Sequence, residues 1–567
     1  MPVVVGRHDD AFRDESIDRR GPCATAWPDF KPLFALTLVC AVVYGAGISA
    51  IPVLDRDEAR FAQSTVQMIE TGNFRQVFYQ DRPQADGALG VHWLQAASVG
   101  VLSDIAERAI WAYRLPSALG AWIATLFTYL IGRDLFGRRE GLVAALFLAT
   151  TPTLIAEAHL ATSDALMLAS VTAAHWPLAR AYMAGHGAAR PGAGLGCLFW
   201  TSCILSAVTK GAVGPAVIAL TVVALCLIER RLSWLFALWP VTAGVAALLA
   251  AAAWAWLSGA QPEASWLAGA LSGDVLPRLY TGFQSDGSPP GTHLLFALGA
   301  LGPPLPFVVL ALIAVTQHWH RAHLRFCVAW AVPAWLAAEL MANKLPHYTM
   351  PLFPALTLLA AWQLGRAAAE APAGERMLLC VWGLLAATLS VSVFGYLAVP
   401  ALEPGIESAD IVAVSLINLI GAIAIIVFGA AGRQGAVAAI AVVTVATVAT
   451  LGAAFTFPRV EPFWITERIV AVIERRGGAG ERGIVTYGYA EPSLVFRAGT
   501  GTRLFGDTDD ADEVASASAS TYVVDEAVRF AFERQSALAG TPRSPDAAVS
   551  GFNYSSGRSV TIWLYFE

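Results

Sequence analysis

Residues 33–60 have the sequence LFALTLVCAVVYGAGISAIPVLDRDEAR. The first 22 of these residues carry no charge, and the last six carry three carboxylates and two guanidinium groups. About 20 consecutive apolar residues are enough for a helix to cross a bilayer, so this stretch predicts a membrane helix that ends in a charged loop. The apolar run stops at acidic Asp55 and not at a small-residue cleavage site, which indicates a retained helix and not a signal peptide.

The rest of the chain has the same apolar character. Of 567 residues, 56% are hydrophobic and 14% are charged, and the mean hydropathy is +0.56. Soluble domains carry about 25% charged residues, so the composition excludes a soluble globule, a disordered chain and a collagen-like chain. The net charge is −6 and there is no basic block, which excludes nucleic acid as a partner. Most of the chain is therefore predicted to lie in a lipid bilayer.

The seven cysteines have neither metal-binding spacing nor a CxxC pair. Six of them lie in or beside apolar runs, where cysteine acts as a small hydrophobic residue. No disulfide framework is expected.

Apolar runs long enough to span a membrane recur as far as residue 456. The predicted spans are 32–53, 109–131, 141–158, 164–183, 195–210, 213–228, 234–257, 292–316, 326–342, 349–365, 377–399, 409–430 and 435–456. The fifth and sixth nearly meet at Lys210-Gly211, so the count is twelve or thirteen. No internal repeat is evident.

Arginines favour the odd count. With thirteen spans, one face receives the N-terminal tail, the loop 132–140 and the arginines that follow later spans, namely Arg230, Arg231, Arg321, Arg325, Arg366, Arg376 and Arg433. Cytoplasmic loops are enriched in arginine and lysine, so this face is predicted to be cytoplasmic. The other face then receives the C-terminus and the segments 54–108, 159–163, 258–291, 343–348 and 400–408.

Residues 458–567 have a different, mixed pattern. Ile484–Tyr487, Thr521–Val524 and Ser559–Phe566 are predicted strands, and Trp464–Arg476 has helical spacing. We therefore predict a polytopic α-helical membrane protein in three parts. These are a cytoplasmic tail (1–31), a transmembrane domain (32–457) with a loop on the other face (54–108), and a soluble α/β domain on that same non-cytoplasmic face (458–567).

Charged residues at membrane depth or on adjoining loops are costly and mark function by default. In the loop that begins at Asp55, a carboxylate could deprotonate a hydroxyl or an amine, and an arginine could hold a phosphate. A solvated loop is the alternative. Asp164 could instead be an N-cap, Lys210 could extend toward the membrane surface, and Arg278 alone is a weak signal.

Asn343-Lys344-Leu345-Pro346-His347-Tyr348 lies between two predicted spans on the same face as the acidic loop. Lysine, histidine and tyrosine in five residues can bind a phosphate and donate hydrogen bonds. The alternative is an interfacial anchor. No nucleotide-binding loop is present in the sequence, so a lipid-linked phosphate fits this face better than a nucleotide.

Several of these stretches resemble one family. Asp57-Glu58-Ala59-Arg60-Phe61-Ala62 resembles the D-E-x-R-[YF]-A motif of bacterial dolichyl-phosphate-mannose-protein-mannosyltransferase-like enzymes, which include the lipid A aminoarabinose transferase. Thr209-Lys210-Gly211 is similar to the family's T-K-G element, and Lys344–Tyr348 with Pro351 and Pro354 is similar to its K-L-P-H-Y-x-x-P-x-x-P signature. His92-Trp93-Leu94-Gln95 and Glu491-Pro492-Ser493 also look like family elements.

The resemblance implies an inverting GT-C glycosyltransferase of the bacterial inner membrane. Such an enzyme takes a sugar from a polyprenyl-phosphate donor and transfers it on the periplasmic side to lipid A, another glycolipid or a protein. The catalytic residues that it implies are Asp57, Glu58 and Asp164. Asp57 is the candidate base, although it could instead orient the acceptor. The family's lysine and tyrosine near the donor phosphate match Lys344 and Tyr348. Arg60, Arg82, Lys210, Arg278 and His347 are further candidates to bind that phosphate. No cofactor is certain, although Asp55 and Asp57 form a D-x-D pair that could bind a divalent metal.

The sequence departs from the family at one place. Members usually carry Lys-Pro where this chain has Gly87-Ala88, and that lysine is expected to touch the lipid phosphate. Arg82 could replace it from a shifted loop. This departure leaves open a catalytically impaired relative that binds the donor. The number of spans and the charges at membrane depth leave open a second alternative, a flippase for lipid-linked sugar. The sequence does not identify the sugar or the acceptor.

Overall fold

The computed structural model describes residues 30–84, 89–239, 244–246, 248–250, 252, 288–341, 344–366, 371–401, 408–478 and 483–567. The predictions for most of the N-terminal tail, for Gly87-Ala88 and for Arg278 lie outside the described residues.

Apolar helices make up the first four-fifths of the described chain. They are α1 (Phe30–Gly45), α2 (Asp57–Thr71), α3 (Leu89–Leu102), α4 (Ile110–Leu135), α5 (Arg138–Ala149), α6 (Pro152–Ala158), α7 (Asp164–Ala184), α8 (Ala193–Lys210), α9 (Val213–Glu229), α10 (Thr292–Ala300), α11 (Leu305–Gln317), α12 (Ala322–Leu340), α13 (Phe353–Gly365), α14 (Ala373–Ala401), α15 (Ser408–Ala430) and α16 (Gln434–Leu451). A small hairpin of β1 (Phe78–Tyr79) and β2 (Arg82–Pro83) lies between α2 and α3.

Within the described ranges, four helices are long and apolar enough to cross a membrane, namely Ile110–Leu135, Ala193–Lys210, Asp410–Ala430 and Gln434–Arg459. The bent pair α5 and α6 makes a fifth if its two halves form one span. Shorter apolar helices are α1, α3, α9 and α11. The chain is thus rich in apolar helices, and the count of thirteen spans stays a prediction.

Two predicted spans are broken. The predicted span 141–158 is bent by 63° between α5 and α6, where Pro152 begins α6 and cannot continue the hydrogen bonds of a preceding helix. The predicted span 292–316 is divided between α10 and α11, where Gly302 has φ of 61° and two prolines follow. The two breaks lie against each other, because a Cβ atom at Gly302 would come within 2.8 Å of Pro152 Cδ.

The packing of α4 fixes the start of α7. These two helices are in extensive contact. A Cβ atom at Gly120 would lie 2.8 Å from the backbone carbonyl of Ala165, so glycine is needed for the close approach. This contact holds Asp164, the first residue of α7, against the end of the bundle where α2 begins.

Residues 465–567 contain a five-stranded sheet. The strands are β3 (Ile484–Tyr487), β4 (Arg503–Phe505), β5 (Thr521–Asp525), β6 (Ala547–Asn553) and β7 (Arg558–Phe566), in the order β4-β3-β5-β7-β6. Strand β3 is parallel to β4 and β5, and β7 is antiparallel to β5 and β6. The helices are α17 (Ile465–Arg475), α18 (Pro492–Ala498), α19 (Ala511–Ser516) and α20 (Glu526–Leu538). Strands β3, β5 and β7 lie where the sequence predicts strands, whereas β4 and β6 were not predicted.

Candidate functional site

Asp57 and Arg60 lie together at the start of α2. Asp57 opens the helix, where a carboxylate is favoured by the helix dipole. Its Oδ1 atom accepts a hydrogen bond of 2.6 Å from Arg60 Nη2, and the Asp57 and Arg60 side chains are 59% and 44% exposed. These two predicted site residues are therefore paired with each other and open to a substrate.

The side chain of Glu58, unlike that of Asp57, points into the protein interior. Its carboxylate is buried and pairs with Arg114, with Nε–Oε1 and Nη2–Oε2 distances of 2.7 and 2.8 Å. It also accepts backbone hydrogen bonds from Leu54 and Ala161. Both oxygens are thus fully engaged, and this geometry ties α2 to α4 and to the loop before α7. Because no carboxylate oxygen is open to a substrate, the arrangement favours a structural contribution from Glu58 over the predicted catalytic one.

Asp164 and Lys210 form an ion pair between α7 and α8. Asp164 is the first residue of α7, and its side chain is buried. Lys210 is the last residue of α8, followed by Gly211 with φ of 60°. The positive φ favours glycine at this position. Two predicted site residues that are 46 positions apart in the sequence are thus in direct contact.

Glu157, which the sequence analysis missed, lies beside this pair. It is buried near the end of α6, and its Oε2 atom accepts a hydrogen bond of 2.8 Å from Thr162 Oγ1. Its Oε1 atom lies 3.4 Å from His347 Nδ1. The signal was a single glutamate inside the apolar run 141–158, which is costly unless it is functional or paired.

His347 lies beside Glu157 and close to the charged side chains described above. Burial lowers the pKa of its imidazole, and the charges of Asp164, Lys210 and Asp57 all act on it. The structure therefore gathers Asp57, Asp164, Lys210 and His347 around Glu157. We call these five residues the acidic cluster.

Lys344 and Tyr348 flank His347 on the same segment. The ammonium group of Lys344 donates hydrogen bonds of 2.7 Å to the carbonyl oxygens of Ser288 and Met341. The Tyr348 ring lies edge-on to the His347 ring, with centroids 5.0 Å apart. The Lys344 ammonium group is thus buried and bound to backbone carbonyls, whereas the Tyr348 ring lies next to the acidic cluster through its contact with His347.

Arg82 lies on the exposed strand β2, so it is placed at the surface of the charged loop. The nearby Tyr79 hydroxyl and Arg60 Nε are buried, and neither has a hydrogen-bond partner within the described part of the chain. Burial raises the pKa of Tyr79, while the charge of Arg60 acts to lower it. The phenol and the guanidinium are thus close neighbours.

Asp55 faces the C-terminal sheet. Its Oδ1 atom accepts a hydrogen bond of 3.1 Å from the Ser493 backbone, and its own N–H donates to the Tyr554 hydroxyl at 2.8 Å. Burial, with the nearby carboxylate of Glu491, raises the pKa of Asp55 to about 7.

Asp55 and Asp57 therefore have different partners, the first in the C-terminal sheet and the second in Arg60. Among the described residues, no group of three or more His, Cys, Asp or Glu side chains is arranged to hold a metal ion. The divalent metal at the D-x-D pair stays a prediction.

Comparison by sequence agrees with the motifs. Residues 86–256 match the family model described as dolichyl-phosphate-mannose-protein mannosyltransferase. Undecaprenyl phosphate-alpha-4-amino-4-deoxy-L-arabinose arabinosyl transferase of Edwardsiella ictaluri is 24% identical over 347 residues, which is 59% of this chain and 60% of that protein. The enzyme of the same name from Yersinia pestis is 23% identical over 58% of each chain. The chain thus spans about three-fifths of the length of these relatives, and the resemblance predicted from the motifs is confirmed.

Comparison by structure gives the fold. The crystal structure of ArnT from Cupriavidus metallidurans bound to undecaprenyl phosphate superimposes with a TM-score of 0.71, at 16% identity, over 95% of this chain and 98% of that one. The oligosaccharyltransferase of Archaeoglobus fulgidus in its apo form gives a TM-score of 0.50 at 11% identity, over 89% of this chain and 71% of that one. The chain therefore has the GT-C membrane fold.

Proposed function

We propose that this chain is an inverting glycosyltransferase that moves a sugar from a polyprenyl-phosphate donor to a glycolipid acceptor such as lipid A. The observation that carries the proposal is the acidic cluster. Motif residues from α2, α7, α8 and the segment before α13 come together at one end of the bundle. Their carboxylates, cation and imidazole are the groups that a sugar transfer from a phosphate requires.

The acidic cluster, together with Arg60 and Lys344, provides groups with different roles in the reaction. Cationic Arg60, Lys210 and Lys344 would hold the donor phosphate and balance the charge that it gains as the sugar leaves. Asp57, exposed at the mouth of the site, would deprotonate or orient the attacking group of the acceptor. Because attack comes from the face opposite the phosphate, the anomeric configuration inverts.

The comparisons support the donor class. The curated relatives are named for an undecaprenyl-phosphate-linked aminopentose, and the ArnT structure contains undecaprenyl phosphate. We therefore propose undecaprenyl phosphate, or a close polyprenyl phosphate, as the lipid part of the donor. The protein would lie in the bacterial inner membrane with the acidic cluster on the periplasmic side.

The test is sugar transfer by the purified full chain. The donor is undecaprenyl phosphate carrying 4-amino-4-deoxy-L-arabinose, and then galacturonate and neutral hexoses in turn, with lipid A as acceptor. Asp57→Asn and Lys344→Ala should each lower the turnover about 100-fold. Asp104→Asn is the matched control, because Asp104 lies on the same loop and caps a short turn through its Oδ1 atom, which asparagine keeps.

Wild-type turnover in both Asp57→Asn and Lys344→Ala would contradict the assignment. Movement of the lipid-linked sugar across a vesicle membrane without transfer would favour the flippase alternative. Donor binding without turnover, with activity gained on Gly87→Lys and Ala88→Pro together, would identify a catalytically impaired relative.

A further inference from the structure

We propose that His347, oriented by Glu157, accepts the proton of the attacking acceptor group, and that Asp57 orients this group. The inference rests on the proposed function and chooses between the two roles that the sequence leaves open for Asp57. In it, His347 is a catalytic residue and Glu157 is a positioning residue.

Glu157 and His347 are close enough for the carboxyl group to orient the imidazole ring. Glu157 Oε1 lies 3.4 Å from His347 Nδ1, and the Glu157 and His347 side chains are 7% and 23% exposed. Histidine is therefore the member that a substrate can reach. Since Nδ1 faces the carboxylate, Nε2 on the opposite side of the ring is the nitrogen left for the acceptor. A carboxylate at one ring nitrogen fixes which nitrogen carries the proton, and catalytic hydrogen bonds are often long before substrate binds.

Glu157 and His347 are both held in place by neighbouring groups. Thr162 Oγ1 donates a hydrogen bond of 2.8 Å to the second oxygen of Glu157. His347 follows Pro346, which begins a short 3₁₀ turn (Pro346–Leu352), and its ring packs edge-on against Tyr348. Proline restricts the backbone at this position. The imidazole is thus positioned by backbone and by neighbours on both sides.

Charged groups from four helices surround the imidazole ring of His347. The titratable groups that face His347 are Asp57 from α2, Glu157 from α6, Asp164 from α7 and Lys210 from α8. Burial is the largest influence on the pKa of His347 and lowers it, so the imidazole is neutral near pH 7 and can accept a proton. Asp57 instead has one carboxylate oxygen bound to the Arg60 guanidinium at 2.6 Å, so that oxygen already has a partner.

In the proposed step, one bond to the anomeric carbon forms as another breaks. The acceptor oxygen or nitrogen forms a bond to the anomeric carbon, and its proton passes to His347 Nε2. The bond between the anomeric carbon and the phosphate oxygen breaks, and its electron pair stays on the phosphate. The imidazolium that forms is stabilised by the charges of Asp164 and Asp57, and the phosphate is stabilised by the neighbouring cations. The products are the glycosylated acceptor and the polyprenyl phosphate.

The kinetic test uses the full chain in detergent, with the donors and acceptor named above. His347→Asn should lower kcat about 100-fold and leave KM within about threefold, because general base catalysis contributes roughly that factor. Glu157→Gln should lower kcat about tenfold. In wild type, kcat should fall at acidic pH as the imidazole protonates, and His347→Asn should lose this dependence. His320→Asn, an exposed histidine in the turn between α11 and α12, is the matched control.

Chemical rescue tests whether His347 accepts a proton or only supports the structure. Added imidazole should raise the activity of His347→Ala about tenfold and leave the activity of Asp57→Asn unchanged. Wild-type kcat in His347→Asn, or imidazole rescue of Asp57→Asn alone, would overturn the inference while leaving sugar transfer by this chain intact.

A second measurement does not depend on turnover. Diethylpyrocarbonate modifies the unprotonated nitrogen of imidazole, and mass spectrometry of the His347 peptide gives the rate. Glu157→Gln should slow this rate several-fold, whereas the rate at His320 should not change. Equal rates at His347 in wild type and Glu157→Gln would overturn the pairing. Absence of transfer by wild type with every donor would instead contradict the proposed function.

Discussion

Lys210 and Asp164 show how a charged site is kept stable inside an apolar bundle. Asp164 is buried and its partner is only a quarter exposed, so each charge depends on the other. Removing one partner of a buried ion pair leaves an uncompensated charge, which costs about 3–5 kcal/mol. The pair is therefore a structural unit as well as a part of the acidic cluster.

The first prediction separates these two contributions. Lys210→Met should lower the free energy of unfolding by about 3 kcal/mol, because the Asp164 carboxylate loses its counter-ion. Adding Asp164→Asn should restore most of this stability, because the uncompensated charge is gone. The double variant should still lack sugar transfer. Denaturant unfolding in detergent gives the stability, and the transfer assay gives the activity.

Two results would contradict this prediction. One is a double variant as unstable as Lys210→Met, which would show that Asp164 is not the group left unpaired. The other is full transfer by the stable double variant, which would remove the pair from the site.

Several residues of the candidate site could be predicted from the sequence, and others could not. Asp57, Asp164, Lys210 and His347 were predicted from motifs, and the structure brings them together. The orientations of Asp57 and Glu58 could not be predicted, because adjacent residues of a helix point about 100° apart and the helix start was unknown. Arg114 was missed since it lies inside a predicted apolar span, and only the structure shows that Glu58 is its partner.

At the scale of elements, the charged loop and the C-terminal sheet are joined by a polar interface. Asp55 binds the Ser493 backbone and Tyr554, and Arg108 donates hydrogen bonds to Gln63 and to the carbonyl oxygen of Phe496, at 2.9 and 2.7 Å. The charged loop is thus joined to α18 and to the turn before β7.

The second prediction concerns the pH dependence of this interface. Burial and Glu491 raise the pKa of Asp55 to about 7, whereas an unfolded aspartate has a pKa near 3.9. Between these values the folded protein keeps a proton that the unfolded chain has lost. Stability should therefore fall as pH rises from about 4 to 7, by roughly 1 kcal/mol after allowance for solvent screening.

Asp55→Asn should remove this contribution, so its melting temperature should change less between pH 5 and pH 8 than that of wild type. Arg108→Met is the matched control, since it weakens the same interface without a group that titrates in this range. It should be less stable at both pH values and keep the wild-type slope. An unchanged slope in Asp55→Asn would show that another group titrates.

The elements themselves were partly predictable. Apolar runs located the helices, because hydrophobic length is a direct signal of a membrane helix. The breaks at Pro152 and at Gly302 were missed, because a hydropathy window averages across a bend. Strands β4 and β6 were missed since β4 is short and β6 carries Ser550, Gly551 and Asn553 in an irregular pattern.

At the scale of the molecule, the polar contacts divide between two ends of the bundle. Asp55 of the charged loop contacts α18, and Asp57 of the same loop belongs to the acidic cluster. We therefore predict that the loop, the cluster and the C-terminal sheet lie on the same side of the membrane. Arginines form a separate group of ion pairs, with Arg325–Glu229 and Arg180–Asp134 both at 3.1 Å. Because arginine-rich loops favour the cytoplasm, the acidic cluster and the C-terminal sheet are predicted to be periplasmic.

The third prediction tests this orientation in intact spheroplasts. The cysteines are first replaced by alanine, which is tolerated where cysteine acts as a small hydrophobic residue. Ser518→Cys, exposed beside β5, should then react with a membrane-impermeant maleimide added outside, and His320→Cys should react only after the membrane is opened. Each variant is its own control when labelled after permeabilisation. Because the loop, the cluster and the sheet are predicted to lie on the same side, labelling of His320→Cys but not Ser518→Cys from outside would move the whole candidate site to the cytoplasmic face. A periplasmic acceptor would then be excluded.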